Sequence, residues 1–370
     1  MNAAFALLAA DLEALFVRDV HLLSDDEFDE MALRVFAFQY RENRTYGAYC
    51  ARHGATPETV ATWADVPPVP ATAFKRLDLF AGDPGAAEAI FRTSGTTRGG
   101  EARGRHLVRS LSLYRAALLP PFRRHLLPDG ARLPLLSLVP SPEALPDSSL
   151  AYMVGTVARE LSAGATWLVG RDGSVDTGRF VAECSELNAR DQPALLVGTA
   201  LAFARLVEAL EAMGGAAVDL PAGSRVMETG GFKARAGELR RTDLYASLSR
   251  LLGVPDARIV NEYGMTELLS QLYEPVLGEG PAARGRHVAP PWLRVRALDP
   301  VTLSPRQQGE VGLLSFFDLA NVGSVCHVLT EDVGSVSADG VRLSGRVEGA
   351  EPRGCSLALE QLASVAGVDR

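Results

Sequence analysis

The chain has 370 residues, of which 47% are apolar and 22% are charged, and its formal net charge is −8. This composition is typical of a globular enzyme and excludes a disordered or fibrous protein, while the acidic balance argues against nucleic acid as a main partner. No apolar run reaches the length of a membrane span, and Asp11 and Glu13 follow the apolar start at once, which indicates an amphipathic helix and not a signal peptide.

The N-terminal part, residues 1–80, is predicted to be mainly helical. Apolar residues recur at three- and four-residue spacing over residues 5–16, and Ser24-Asp-Asp-Glu27 has the pattern of a helix N-terminus. A proline-rich stretch ends this part, and the turn that follows it carries Lys75.

From about residue 107 onward strand and helix patterns alternate, which predicts an α/β fold. Strands are expected at residues 133–139, 166–169, 193–198 and 225–228 and from Arg258, with helices at 111–119, 151–161, 200–213 and 244–252. After Pro291 an antiparallel section is expected, with strands at 293–298, 309–317 and 324–329, a break at 330–334, a turn at 345–349 and a last helix at 355–366.

Three glycine-bearing loops follow predicted strands. Residues 93–100 hold four hydroxyls and three glycines, a composition that lets backbone N–H groups and hydroxyls surround an anion. The other two loops read Glu-Thr-Gly-Gly-Phe-Lys at 228–233 and Asn-Glu-Tyr-Gly-Met-Thr-Glu at 261–267. Loops at the carboxyl ends of parallel strands meet around ligands, so these loops are predicted to form one site.

These loops, in this order, resemble those of the adenylate-forming ligases, which carry a Ser-Gly-Thr-Thr-Gly loop, an aromatic-Gly-x-Thr-Glu turn and a later Gly-Asp pair. Here Arg98 intrudes before Gly99, and Glu331 stands where glycine usually precedes Asp332. Within that superfamily, Glu-Thr-Gly-Gly-Phe-Lys together with Tyr-Gly-Met-Thr-Glu-Leu-x-Ser-Gln-x-Tyr resembles the LuxE-type acyl-protein synthetases of the bioluminescence fatty acid reductase system.

The resemblance implies an α/β fold with a large adenylate-forming-ligase-like domain of mixed sheets and flanking helices, residues 1–325, and a strongly shortened C-terminal segment, residues 326–370. It implies ATP and Mg²⁺ as cofactors. The implied nucleotide-binding residues are Thr93, Ser94, Gly95, Thr96, Thr97, Gly99, Gly230, Gly231, Glu262, Tyr263, Gly264, Met265, Thr266, Asp332 and Arg346. Among them Tyr263 would stack on the base, Thr266 would meet the α-phosphate and Asp332 would take the ribose hydroxyls, while Glu267 would hold Mg²⁺.

Lysine is rare in this chain, because only Lys75 and Lys233 occur among 37 basic residues. Ligases that this chain resembles supply a catalytic lysine from a longer C-terminal domain, whereas the 38 residues after Asp332 (370 minus 332) contain none. Lys233 is expected to replace it, with Lys75 or an arginine as alternatives.

Cys355 is the implied acyl acceptor, because a cysteine near the C-terminus carries the acyl group in the family and the start of a helix favours a thiolate. The four cysteines form no CxxC pair, so neither a disulfide framework nor a zinc site is expected, and the other three are expected to be small buried residues. Structural roles are favoured over acid–base roles for His106 and His327.

The sequence therefore predicts a cytoplasmic, ATP-dependent ligase without a membrane span. It would activate a carboxylic acid, expected to be a fatty acid, as an acyl-adenylate and pass the acyl group to Cys355 and on to a partner protein, a reductase or a carrier. Two alternatives stay open: a ligase that gives its acyl group directly to a small amine or thiol, and a non-catalytic protein that binds acyl groups or nucleotides.

Overall fold

A computed structural model describes residues 3–18, 23–93, 103–230, 240–347 and 352–367. The chain divides into two compact units. Unit 1 consists of Met1–Pro120, Met265–Gln271 and Val288–Arg370, and unit 2 consists of Pro121–Gly264 and Leu272–His287. The boundary predicted between residues 325 and 326 lies inside unit 1.

The α-helices are α1 (Ala3–Phe16), α2 (Asp25–Glu42), α3 (Arg44–Arg52), α4 (Leu111–Leu126), α5 (Ser149–Leu161), α6 (Thr177–Ala189), α7 (Ala200–Ala212), α8 (Arg241–Leu252), α9 (Val276–Glu279) and α10 (Arg353–Ala366). The strands are β1 (Val69–Pro70), β2 (Ala89–Arg92), β3 (Arg105–Val108), β4 (Leu135–Leu138), β5 (Ala165–Trp167), β6 (Leu195–Thr199), β7 (Arg225–Thr229), β8 (Ile259–Tyr263), β9 (Leu272–Tyr273), β10 (Leu293–Leu298), β11 (Val311–Asp318), β12 (His327–Ser337) and β13 (Gly340–Arg346). Across the described ranges no helix has the length and apolar character needed to cross a bilayer.

Unit 2 is built on a six-stranded sheet with the order β5-β4-β6-β7-β8-β9. All neighbours in it are parallel except β8 and β9, which confirms the predicted α/β alternation. Strands β6 and β7 are almost wholly buried, as expected for parallel strands covered on both faces. The main core cluster of this unit joins the sheet to α6, α7 and α8.

Unit 1 contains a sheet with the order β1-β12-β11-β10, in which β13 also pairs with β12. The pairs β10–β11, β11–β12 and β12–β13 are antiparallel, which confirms the antiparallel section predicted after Pro291. A separate antiparallel pair, β2–β3, precedes α4. The predicted start of α2 is confirmed by a reciprocal cap, in which the Glu27 amide donates to the Ser24 hydroxyl and the Ser24 amide donates to the Glu27 carboxylate.

Two predictions about the C-terminal section are wrong. Residues 330–334 do not break a strand, because they lie inside β12, and Gly345 and Arg346 belong to β13 and not to a turn. Strand β12 pairs with β11 on one side and β13 on the other, so ladder hydrogen bonds hold these polar residues in a strand. The irregularity appears as two shifts of register, between Leu313 and Ser315 in the pairing with β11 and between Val333 and Gly334 in the pairing with β13.

Candidate active site

The hydroxyl-rich loop begins at Thr93 in unit 1. It joins β2 to β3, an antiparallel pair outside the six-stranded sheet, so this loop follows a strand but not a parallel one. The Thr93 amide donates to the Gly104 carbonyl at 3.0 Å, and the Gly104 amide donates to the Thr93 hydroxyl at 2.9 Å. Thr93 thus closes the base of the loop, and the five other predicted loop residues lie outside the described residues: Ser94, Gly95, Thr96, Thr97 and Gly99.

The other two loops start side by side in unit 2. Strands β7 and β8 are parallel neighbours, with Thr229 opposite Glu262 in the register. Gly230 follows β7 with φ +86°, a conformation that favours glycine, and a Cβ there would meet no atom of the described residues within 4 Å. The backbone at Gly230 therefore lies open for close approach of a ligand, while Gly231 and Lys233 lie outside the described residues.

Two buried carboxyl groups occupy the ends of these strands. Glu228 accepts hydrogen bonds from the Tyr245 hydroxyl at 2.9 Å and from the Asn261 side chain at 2.6 Å, and burial raises its pKa. Glu262 accepts a hydrogen bond from the Thr229 hydroxyl, and burial raises the pKa of Glu262 to about 7. The Glu262 side chain therefore lies in the interior, against Thr229.

Both the nitrogen and the oxygen of the Asn261 side-chain amide have hydrogen-bond partners. Its amide group donates to the Glu228 carboxylate, and its oxygen accepts from His287 Nε2 at 2.7 Å and from Arg241 at 3.3 Å. This network fixes β8 just before Tyr263, which ends the strand half-buried. Sequence reasoning missed Arg241 and His287, although a polar Asn261 within an apolar strand was a signal that buried partners exist.

Burial increases after the end of β8. Tyr263, Gly264, Met265 and Thr266 are half-buried, whereas Glu267 is only 8% exposed. Met265–Gln271 belongs to unit 1, where the Thr266 carbonyl accepts a hydrogen bond from His106 Nδ1 at 2.6 Å. Burial lowers the pKa of His106 to about 4.

Asp332 and Arg346, which lie fourteen residues apart in the sequence, face each other across β12 and β13. Arg346 Nε donates to Asp332 Oδ1 at 3.1 Å, and Arg346 Nη1 lies 3.8 Å from a carboxylate oxygen of Glu331. The structure therefore brings together Asp332, predicted to bind the ribose, and Arg346, also predicted to bind the nucleotide.

Cys355 lies in the first turn of α10 and is only 1% exposed. It packs in an apolar cluster with Leu298, Leu313 and Leu329. Helix α10 packs closely against Leu303 at this point, since a Cβ on Gly354 would lie 2.7 Å from the Leu303 side chain. All four cysteines lie in the described residues, where they are buried and form no disulfide.

His327 is also buried, and both of its ring nitrogens have partners. Nδ1 donates to the Val66 carbonyl at 2.7 Å, and Nε2 lies 3.2 Å from the Ser315 hydroxyl. Burial holds the pKa of His327 well below its usual range. Both histidines singled out from the sequence thus make buried hydrogen bonds, in agreement with structural roles.

Residues 20–363 match the sequence profile of a family described as acyl-protein synthetase, LuxE. The chain belongs to the LuxE acyl-protein synthetase family. Two curated relatives are named long-chain-fatty-acid–luciferin-component ligase. The one from Aliivibrio fischeri is 25% identical over 315 residues, which cover 83% of this chain and 79% of the relative. The one from Vibrio harveyi is 25% identical over 340 residues, covering 88% and 85%.

The LuxE-family chain also resembles solved structures of adenylate-forming ligases. A structure of 2-hydroxyisobutyryl-CoA ligase matches with a TM-score of 0.64 at 14% identity, over 88% of this chain and 68% of that one. This likeness shows the fold and confirms the predicted α/β class. Membership in the LuxE family confirms the predicted enzyme class, an ATP-dependent acyl-protein ligase.

Proposed function

We propose that this LuxE-family enzyme activates a long-chain fatty acid as an acyl-adenylate and transfers the acyl group to Cys355 and then to a partner protein. The acid is suggested by the names of the two curated relatives, and adenylation by 2-hydroxyisobutyryl-CoA ligase, which was solved in a post-adenylation state. The observation that carries the proposal is the stretch from Asn261 to Glu267, where a fixed parallel strand ends at Tyr263 and a half-buried Thr266 precedes a buried Glu267.

The first step makes a carboxylate into an acyl donor. A carboxylate oxygen attacks the α-phosphorus of ATP, so an O–P bond forms, the bond to the bridging oxygen breaks, and pyrophosphate leaves. Negative charge grows on the phosphoryl oxygens, and the Thr266 hydroxyl is suited to donate a hydrogen bond to one of them. Glu267 offers the hard carboxylate oxygen that Mg²⁺ prefers, and Mg²⁺ when bound neutralises phosphate charge.

Other residues are proposed to hold the nucleotide. Gly230 is proposed to let its backbone approach the adenine, because it has no side chain of its own and no described residue lies within 4 Å of its Cβ position. The ring of Tyr263 is proposed to stack on the base. Asp332 is proposed to accept hydrogen bonds from the ribose hydroxyls, a task that suits a carboxylate. Lys233 is proposed to supply the cation that stabilises the transferring phosphate.

The second step moves the acyl group to sulfur. The Cys355 thiolate attacks the acyl carbonyl, a C–S bond forms, the bond to AMP breaks, and AMP leaves. Since the thiol is buried among leucines, this step requires the first turn of α10 to move away from Leu298 and Leu329. In this proposal residues 1–325 carry most of the activation site, and residues 326–370 add Asp332 for the ribose and Cys355 as the acyl acceptor. We place the enzyme in the cytoplasm, where ATP is available.

Pyrophosphate release tests this function. Purified protein is incubated with ATP, Mg²⁺ and fatty acids of increasing chain length, and release is expected only with acid, rising toward long chains. Glu267→Gln should abolish it, while Glu30→Gln, which alters an exposed glutamate of α2, should not. Absence of acid-dependent release from the wild-type protein would sink the proposal and favour a non-catalytic binding protein.

A further inference from the structure

The segment Met265–Gln271 is irregular, yet side chains from elsewhere in unit 1 bind backbone groups of four of its residues: Thr266, Glu267, Leu269 and Ser270. It forms neither helix nor strand, and Glu267 and the following residues are buried. Buried backbone groups need partners, and an irregular segment cannot supply them from its own repeat. Here side chains of unit 1 supply partners for four of these groups.

His106 holds the first of these groups. Its Nδ1 atom lies 2.6 Å from the Thr266 carbonyl oxygen, which can only accept, so Nδ1 carries the hydrogen. The ring is buried, and its Nε2 atom has no hydrogen-bond partner among the described residues. The bond to Thr266 is therefore the one polar contact that this imidazole makes there.

Asn321 holds the next residue. Its side-chain amide donates to the Glu267 carbonyl at 2.7 Å and to the Val325 carbonyl at 3.1 Å, which uses both hydrogens. Asn321 is fully buried. Thus the carbonyl groups of Thr266 and Glu267, the two residues proposed to act at the phosphate and Mg²⁺, each accept a side-chain hydrogen bond from a distant part of unit 1.

Asp318 holds the far end of the segment. One carboxylate oxygen accepts from the Leu269 and Ser270 amides, both at 2.9 Å, and the other accepts from the Ser270 hydroxyl at 2.7 Å and the Ala320 amide at 3.0 Å. Trp292 Nε1 also donates to the Ser270 hydroxyl at 3.1 Å. A fully buried carboxylate with four donors is a rigid anchor, because each donor would be left unpaired if it moved.

The hydrogen bond from His106 also connects the segment to the β2–β3 pair, where the hydroxyl-rich loop begins. His106 lies in β3 opposite Phe91 of β2, and Thr93 follows that strand. One hydrogen bond therefore connects the β2–β3 pair directly to Thr266. The position of Thr266 is set from the element on which the loop begins.

We propose that His106, Asp318 and Asn321 are positioning residues, the anchor residues, that fix the backbone of Thr266 and Glu267 for acid activation. The inference rests on the proposed function. The anchor residues touch backbone and not substrate, so their loss should lower kcat, since a small displacement of transition-state contacts is costly, and should change the KM for ATP little.

The sharpest test uses His106, because the chain contains a matched control. His327 is an equally buried histidine of unit 1 whose Nδ1 donates to a backbone carbonyl away from this segment. His106→Leu is expected to lower kcat about 10- to 100-fold, and His327→Leu is expected to keep the wild-type kcat in the folded fraction. His106→Asn should restore most of the activity, because its amide nitrogen can replace Nδ1 as donor.

Hydrogen exchange gives a readout that does not depend on turnover. The Leu269 and Ser270 amides donate to Asp318, so peptides covering Met265–Gln271 should exchange slowly in the wild type. Exchange there should rise in Asp318→Ala and in His106→Leu, and it should stay slow in His106→Asn and in His327→Leu. If Asp318→Ala does not fold, comparison of His106→Leu with His106→Asn and His327→Leu still tests the inference.

The outcomes separate this inference from the proposed function. The proposed role of the anchor residues is wrong if His106→Leu keeps the wild-type kcat and slow exchange. It is also wrong if His106→Leu and His327→Leu lose kcat equally. Either result leaves the proposed function intact. Absence of pyrophosphate release from the wild type would overturn the function, and with it the claim that these residues serve acid activation. Loss of kcat with local exchange, rescued by His106→Asn, supports the inference.

Discussion

Arg346 Nε lies 3.1 Å from Asp332 Oδ1 across the antiparallel strands β12 and β13. The arginine side chain is 49% exposed and the aspartate side chain 19%. A pair this close to solvent contributes little to folding, typically below about 1 kcal/mol. Arg346 therefore holds the carboxylate that is predicted to bind the ribose. Substitution of either residue should change the stability of the folded protein little.

Asp332→Asn should weaken ATP binding without unfolding the protein. The KM for ATP is expected to rise about 10-fold, because a charged acceptor for the ribose is lost, while the Tm stays close to the wild-type value. Asp339→Asn is the matched control, since Asp339 pairs with Arg342 at 3.4 Å beside the same strands. A KM for ATP that does not change in Asp332→Asn would remove this residue from the nucleotide site.

The two lysines provide a second comparison. Lys233→Ala is expected to lower pyrophosphate release about 100-fold or more, the usual cost of removing a group that stabilises developing charge. Lys75→Ala, which changes the end of a short 3-10 helix at Ala71–Lys75, should retain activity. The reverse result would assign the cation to Lys75, and activity in both variants would leave the role to an arginine.

Cys355→Ala should separate acid activation from acyl transfer. Radiolabelled fatty acid is expected to label the wild-type protein through a bond that neutral hydroxylamine cleaves, as a thioester requires. The variant should lose this label and still form acyl-adenylate. Cys184→Ala controls for loss of a buried thiol, because Cys184 lies in the core of unit 2. Persistent thioester label in Cys355→Ala would show that another residue is acylated.

Glu262 predicts a pH dependence of stability. Burial raises its pKa from 4.5 to about 7, so between these values the folded protein holds a proton that the unfolded chain releases. The free energy of unfolding should therefore fall as the pH rises through this window, by up to about 1.4 kcal/mol per pH unit from this group. Urea midpoints from pH 5 to 8 should fall less steeply in Glu262→Gln than in the wild type or in Glu208→Gln, which alters an exposed glutamate of α7. Parallel slopes in all three proteins would contradict the buried, protonated Glu262.

Much of the fold follows from local pattern. The parallel strands of unit 2 were predictable because they are continuous apolar runs, and β10 and β11 were predictable because they alternate or are apolar. Helix α6 was not predicted, since its buried stripe consists only of Phe180, Cys184 and Leu187. Residues 330–334 looked like a break because they are polar and include glycine, and only pairing with strands on both sides overrides that preference.

The candidate site likewise contains residues that local sequence predicts and residues that only the fold brings together. Gly230 and the stretch ending at Glu267 carry motif residues that can be recognised from the sequence. The anchor residues carry no local pattern, because each contacts backbone far away in the chain; His106 and Thr266 are 160 residues apart. Only the fold reveals such side-chain contacts to distant backbone.

Exchange of labelled pyrophosphate into ATP tests the central claim most directly, because it detects reversible formation of an acyl-adenylate. The proposed acyl-adenylate route predicts exchange that requires fatty acid and Mg²⁺, persists in Cys355→Ala and disappears in Glu267→Gln. Acylation of the wild-type protein without any acid-dependent exchange, accompanied by release of ADP and not AMP, would contradict it.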